Sequence, residues 1–409
     1  MIRTLITVAP LLLGVAILLT GQGLQGALLP VRANLEDFST LSIGLMGGAY
    51  FLGFTVGCLR GTRLVRRVGH VRVFAAMTAA ASAAPLLHGL WPEDSLWWLL
   101  RFVTGYCFAV LYMVIESWLN ELSDNETRGQ VFSAYTLITL TVTAAGQQML
   151  LLYDPMDMAL FAATSALVSL AAIPVVLSVS PAPSHGESDS RLDLRRLFRI
   201  SPAGALGSLS AGFSNGSFWA LAAVFVGAYS GEVAHVAWFM SAAVLGGALG
   251  QWPLGRWSDR VDRRWVLAFA ALVGTVVSVL IFVFYSELDI AWFLALGAAW
   301  GAVAFPTYAV SVAHSNDYAR KGEFVMISSS MLLMYGVGAV IGPLLASMVM
   351  SLVGGGGLYL FIAAVHALLL AYVLVRLSRR APKSEEEHSD FSDSLAATQT
   401  ASRYYEEEL

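Results

Sequence analysis

Apolar runs of about 20 or more residues alternate with short polar connectors along the whole chain. The runs cover approximately 5–30, 40–60, 71–90, 96–118, 130–152 and 158–179, then 203–229, 235–255, 265–285, 290–312, 325–349 and 357–376. A helix that crosses a bilayer needs about 20 mostly apolar residues, so the pattern predicts twelve such helices. The run from Leu5 to Pro30 is longer than the roughly 7–15 apolar residues of a signal peptide, and no small-x-small cleavage site follows it. It therefore reads as a retained first helix. Between the sixth and seventh runs, Ser180 to Arg199 is rich in Ser, Pro and charge, as a connector would be. After Leu377 the chain turns polar and acidic, with Glu385-Glu386-Glu387 and Glu406-Glu407-Glu408, which predicts a disordered tail. The expected organisation is a six-helix half over 1–179, a linker over 180–202, a second six-helix half over 203–376 and the tail over 377–409.

Charge orients this pattern. Of 24 Lys and Arg, Arg101 lies inside a run and Arg32 in the first odd-numbered connector; the other 22 sit at the N-terminus, in the even-numbered connectors, in the linker or in the tail. The positive-inside rule makes those segments cytosolic. Both termini are then inside and the helix count is even. The two halves also repeat. Arg63-Leu64-Val65-Arg66-Arg67-Val68-Gly69 falls on Arg256-Trp257-Ser258-Asp259-Arg260-Val261-Asp262 at an offset of 193 residues. At the same offset Gly23 falls on Gly216, Gln22 on Asn215, Gly53 and Gly57 on Gly246 and Gly250, and Arg128-Gly129 on Lys321-Gly322. Two copies of six helices share one orientation, the parallel-repeat arrangement, with a substrate site expected between them near the midplane. The fold class is thus an all-α membrane protein of twelve transmembrane helices in two parallel six-helix repeats.

Composition agrees. Apolar residues make up 57% of the chain and charged residues 13%, against roughly 25% charged in soluble domains. Cys58 and Cys107 both lie in apolar runs and show neither metal spacing nor a disulfide framework. No nucleotide-binding loop G-x-x-x-x-G-K-[ST] is present, so direct powering by ATP is not expected.

Several strings resemble the major facilitator superfamily. Gly255-Arg256-Trp257-Ser258-Asp259-Arg260-Val261-Asp262-Arg263-Arg264 is similar to its loop signature G-x-x-x-D-R-x-G-R-R, with Asp262 in place of the second Gly. The first copy keeps Gly69 but has Arg66 where the family has Asp. Arg101-Phe102-Val103-Thr104-Gly105 resembles the fourth-helix R-x-x-x-G motif. Gly338-Ala339-Val340-Ile341-Gly342-Pro343 resembles G-x-x-x-G-P on the eleventh helix, whereas Ala145 to Leu150 on the fifth lacks the Pro, which speaks against a drug antiporter. With Val114-Ile115-Glu116-Ser117 and Gly250-Gln251-Trp252-Pro253-Leu254-Gly255-Arg256, the chain is similar to the YcaD-like branch. The resemblance implies a transporter, not a substrate.

Charges within membrane helices are costly and point to function. Arg101 and Glu116 share the fourth helix. Their 15-residue spacing is four turns plus about 60°, so they lie near one face, with Gly105, Phe108 and Tyr112 on the same stripe. The rise puts them about 22 Å apart along the axis. Arg101 would bind an anionic group or act on a nearby acid; the alternative is snorkelling to headgroups. Glu116 would take up and release a proton; the alternative is a static ion pair. Gln22, Gln25 and Asn215 are candidates to bond a substrate or neighbouring helices. Trp219, Trp300, Tyr308 and Tyr335 are candidates to line the cavity or simply to pack; Gln147 and Gln148 are further cavity candidates. Glu121-x6-Arg128 resembles an element of sugar porters that latches cytosolic helix ends. With Arg66, Arg67, Asp259, Arg260, Arg263 and Arg264 it forms the expected gate, the second copy of the loop making the stronger contact. The alternative is ordinary solvated loop charge.

These features predict a secondary transporter moving a small organic solute across the cytoplasmic membrane by alternating access, coupled to protons. The expected partners are that solute, the proton and the lipid bilayer, with no nucleic acid and no cofactor, and the chain is expected to act as a monomer. A receptor on a transporter scaffold is the alternative. An intramembrane enzyme is not supported, because HExxH and GxSxG motifs are missing.

Overall fold

The computed structural model describes residues 2–123, 128–177, 192–320 and 323–379. Every element among them is helical. They run α1 (Ile2–Leu35), α2 (Thr40–Val68), α3 (His70–Leu90), α4 (Asp94–Glu121), α5 (Arg128–Gln148) with a short 3-10 turn (Met149–Leu151), α6 (Met158–Leu170) and α7 (Ala172–Val176). The linker helix α8 (Leu194–Ile200) follows. Then come α9 (Pro202–Ser230), α10 (Val233–Ser258), α11 (Arg263–Phe284), α12 (Ile290–Ala304), α13 (Pro306–Asn316), α14 (Phe324–Val353) and α15 (Gly357–Arg379). The α6–α7 and α12–α13 pairs are each one tract broken by a residue. The second break falls before Pro306, which has no N–H to continue the helix. The linker over 180–191 and the tail beyond Arg379 lie outside the described residues.

Eleven helices among the described residues are long and apolar enough to cross a membrane. The expected fifth span, α5, is not one of them. It is helical, but Ser133, Thr136, Thr139, Thr141, Thr143, Gln147 and Gln148 dilute its hydropathy.

The two basic connectors are shorter than the sequence suggests, because the helices run into them. Arg66 and Arg67 occupy the last turn of α2, where cations oppose the partial negative charge of a helix C-terminus. Gly69 then turns the chain with φ of 95°, a conformation suited to glycine. The second copy turns differently: Asp262 has φ of −53° and its side chain caps α11 by accepting from the Arg264 N–H. The departure from the family Gly is thus explained, since this turn needs no left-handed residue. The ends of the bundle can be named from these connectors, the basic end here and the far end opposite.

Repeat-related glycines set repeat-related helix contacts. A Cβ on Gly53 of α2 would lie 1.9 Å from the Phe102 carbonyl oxygen of α4, and one on its mate Gly246 of α10 would lie 2.1 Å from that of Ala298 on α12. Gly23 brings α1 onto Thr143 of α5, and its mate Gly216 brings α9 onto Ala339 of α14. Such backbone approach replaces the hydrophobic drive that lipid cannot supply.

The first and second halves of the chain meet at the far end. Gln148 of α5 donates to the Ala237 carbonyl at 3.0 Å and to Ser241 Oγ at 2.7 Å, both on α10. Ser241 Oγ in turn donates towards Gln147 Oε1 at 3.1 Å and the Ala144 carbonyl at 3.2 Å. Gly44 and Gly48 of α2 pack on Pro343 and Val340 of α14. Arg32, the cation on the unexpected side, is a buried brace there. It pairs with Glu36 at 2.7 Å and donates to the Pro155 and Met156 carbonyls.

Candidate functional site

A cavity of about 330 Å3 lies between the two halves, walled by α1, α2, α4, α5, α9, α10, α13 and α14. Gln22, Arg101, Tyr112, Glu116, Asn215, Trp219, Tyr308 and Tyr335 all line it. Gln25 and Trp300 do not. Gln22, Gly23 and Gly26 form the α1 lining, and three residues is 60° short of a turn, so Gln25 swings to the side away from Gly23. Trp300 is fully buried against Phe218 at 4.8 Å, Phe305 at 5.6 Å and Tyr359 at 5.9 Å. It packs the second half rather than facing the cavity. Gln147 and Gln148 are also displaced from the lining, into the far-end contacts above.

Tyr50 on α2 is the residue that organises one wall. The Arg101 guanidinium sits 4.2 Å from its ring centroid, within cation–π range. Gly105, one turn along, lies against the same residue's backbone, where a Cβ would be 2.0 Å from the Tyr50 carbonyl oxygen. The R-x-x-x-G spacing therefore puts its cation and its glycine on one partner. Gln22 donates to the Tyr50 hydroxyl at 2.9 Å and accepts from the Tyr112 hydroxyl at 2.6 Å. Glu116 is 1% exposed on the cavity wall, within electrostatic range of Cys58, Tyr112 and Tyr308. Across the cavity the rings of Tyr308 and Tyr335 meet at 5.0 Å and those of Trp219 and Phe305 at 5.9 Å.

Sequence reasoning missed Tyr50 and the face of α5. Phe132, Tyr135, Thr136, Thr139, Leu140 and Thr143 line the cavity at i, i+3, i+4, i+7, i+8 and i+11. Three of the four threonines that lower the hydropathy of α5, Thr136, Thr139 and Thr143, lie on its cavity face. That helical periodicity of polar residues was the available signal.

At the basic end the charges brace the second half internally. Arg263 is buried and donates from Nε to Asp317 at 2.9 Å and from Nη1 to Ser258 Oγ at 3.1 Å. Asp259 approaches the same guanidinium at 3.4 Å. Arg264 binds Asp262 and donates to the Arg376 carbonyl at 3.1 Å. Burial favours the neutral Asp262 carboxyl, but the hydrogen bonds and charge of Arg264 outweigh it and hold the group below its ordinary range. Arg66, Arg67, Arg260 and Glu121 are exposed. Among the described residues none of these four has an ion-pair partner. The Arg128 side chain lies outside the described residues. Asp317 is the partner the sequence reading lacked.

The family model of the Major Facilitator Superfamily matches residues 11–231 and 204–403. The Escherichia coli protein named uncharacterized MFS-type transporter YcaD is 27% identical over 382 residues, covering 91% of this chain and 96% of its own. Among solved structures, the nucleoside transporter NupG superposes with a TM-score of 0.74 at 13% identity, over 91% of this chain and 99% of NupG. A bacterial homologue of the human lysosomal transporter Spinster, in an inward-facing and occupied conformation, gives 0.69 at 14% identity, over 96% of both chains. These likenesses at low identity carry the fold, and the family matches carry the membership: the chain belongs to the Major Facilitator Superfamily and is a multi-pass membrane transporter, not an enzyme.

Proposed function

We propose that this transporter moves a small organic solute by alternating access, coupled to protons, with its basic end in the cytosol. The observation that carries the reading is a buried carboxylate, Glu116, on the wall of a cavity between two halves that are joined at the far end. Rocking of the halves would exchange which end is joined. Glu116 would then meet water in one arrangement and lose it in the other, and a carboxyl so treated takes up and releases a proton. The placement of 22 of 24 basic residues supports a cytosolic basic end.

The test is made in proteoliposomes, with a solute chosen by thermal-shift screening of metabolites. Glu116→Gln should abolish uptake driven by a pH gradient while exchange of the same solute across the membrane continues. Uptake by the variant that still follows the gradient would remove Glu116 as the coupling group.

A further inference from the structure

Arg101 is a cation presented to the cavity. Its guanidinium is stacked on Tyr50, and its buried Nε has no hydrogen-bond partner among the described residues. The carboxylate that lines the same cavity, Glu116, is 15 residues further along α4, about 22 Å along the axis. A small organic solute is much shorter than that separation, so one seated on Arg101 does not also reach Glu116. A zwitterion would leave its ammonium without an acid, and a cation would meet repulsion. The end near Arg101 therefore selects an anion.

The walls add shape. Tyr50, Trp219, Phe305, Tyr308 and Tyr335 all face the cavity, and such rings favour flat apolar bodies stacked or edge-on between them. Two polar atoms then remain unmatched. The Asn215 side chain lies beside the Tyr335 hydroxyl; its Oδ1 is buried without a partner among the described residues, and so is the Tyr308 hydroxyl. Both residues are more than nine-tenths buried. An unmatched polar atom in such a place is costly, and a ligand hydroxyl or N–H would remove that cost. Tyr50 lies within electrostatic range of Tyr335, and both line the same cavity.

We propose that the solute is a small aromatic carboxylate bearing a ring hydroxyl or N–H, its carboxylate on Arg101 and its second polar group on Asn215 and Tyr308. The proposal rests on the transporter reading above and sharpens it to a substrate class.

Binding of 4-hydroxybenzoate, benzoate, 4-hydroxybenzamide and 4-hydroxybenzylamine to the purified full chain, followed by calorimetry, tests it. The order expected is 4-hydroxybenzoate first, benzoate several-fold weaker, the amide at least tenfold weaker and the amine not bound. Arg101→Gln should weaken 4-hydroxybenzoate at least tenfold and leave the amide unchanged, while Arg101→Lys retains part of the affinity and shows that the fold survives. Asn215→Ala should bring 4-hydroxybenzoate down to benzoate. An amine or amide that binds as tightly as the carboxylate, no carboxylate binding at all, or indifference to Arg101→Gln overturns the class. Flux in proteoliposomes separates the two readings. Transport of another solute with no carboxylate bound sinks the class and spares the transporter mechanism. Carboxylates that bind in this order but never cross under any gradient sink the mechanism and spare the class.

Discussion

Arg263 carries its charge into a site where the side chain is 0% exposed, and Asp317, 3% exposed, meets it at 2.9 Å. A buried pair of this kind contributes little against a well-packed apolar pair, yet breaking it from one side strands a charge at about 3–5 kcal/mol. Asp317→Asn should therefore lower the thermal midpoint and the folded yield sharply. Replacing both members, Arg263→Leu with Asp317→Leu, should recover most of the loss. Asp259 is different: its side chain is 37% exposed and 3.4 Å from Arg263, so Asp259→Asn should change stability by no more than about 1 kcal/mol. Equal midpoints for Asp317→Asn and wild type in a detergent melt would refute this ranking. The family signature drew attention to Asp259 because it lies in the loop beside Arg263. Asp317 is 54 residues away, and spacing along a chain says nothing about which tracts a membrane bundle brings side by side. Glu116 and Arg101 were legible for the opposite reason: a charge in an apolar run stands out without any knowledge of its neighbours.

The helices α5 and α10 seal the far end with hydrogen bonds, whereas their repeat-related counterparts seal it with backbone contact. At the offset of 193, Ser241 falls on Gly48 and Gln147 on Val340. The first pair is a polar clasp, and the second leaves a Cβ on Gly48 only 2.9 Å from the Val340 carbonyl oxygen. In the proposed rocking of the halves, one interface would break by exchanging hydrogen bonds and the other by sliding smooth surfaces apart. Loss of one net hydrogen bond is worth about 1 kcal/mol, or roughly fivefold in a two-state population. Ser241→Ala should thus raise labelling of a Thr143→Cys reporter from the far side by about that factor, in a background with Cys58 and Cys107 replaced by serine. Unchanged labelling by an impermeant maleimide would show that the clasp does not bias the equilibrium. The existence of these helices was plain in the apolar runs. Their ends were not, because Arg128 of α5 and Arg256 of α10 lie within the helices at the basic end, where hydropathy stops. The clasp was not legible either, since Gln147 and Gln148 read equally well as cavity groups until α10 is placed against them.

The joint between the two halves belongs, at its C-terminal part, to the second half. Asp193 caps α8, accepting from the Arg196 N–H at 2.8 Å, and its own N–H donates to Ser330 Oγ on α14 at 3.3 Å. Arg196 then grips Glu323, just before α14, through two hydrogen bonds of 3.1 and 3.2 Å. The linker helix is therefore carried with α14 in any rocking of the halves. Those bonds hold the Glu323 carboxyl below its ordinary range, so the docked state binds a proton less readily than an undocked one. Docking stability from this pair is accordingly complete above the pKa of a free Glu, about 4.3. It fades as the pH falls through the lowered value. Hydrogen exchange of the Leu197 to Ile200 amides should stay slow from neutral pH down to about 5, after correction for intrinsic rates, and quicken only in stronger acid. Glu323→Gln should give the quick exchange already at neutral pH. If the variant exchanges as slowly as wild type at pH 7, α8 is held by its buried Leu197 and Ile200 instead, and the ion pair sets only the direction from which the chain enters the second half.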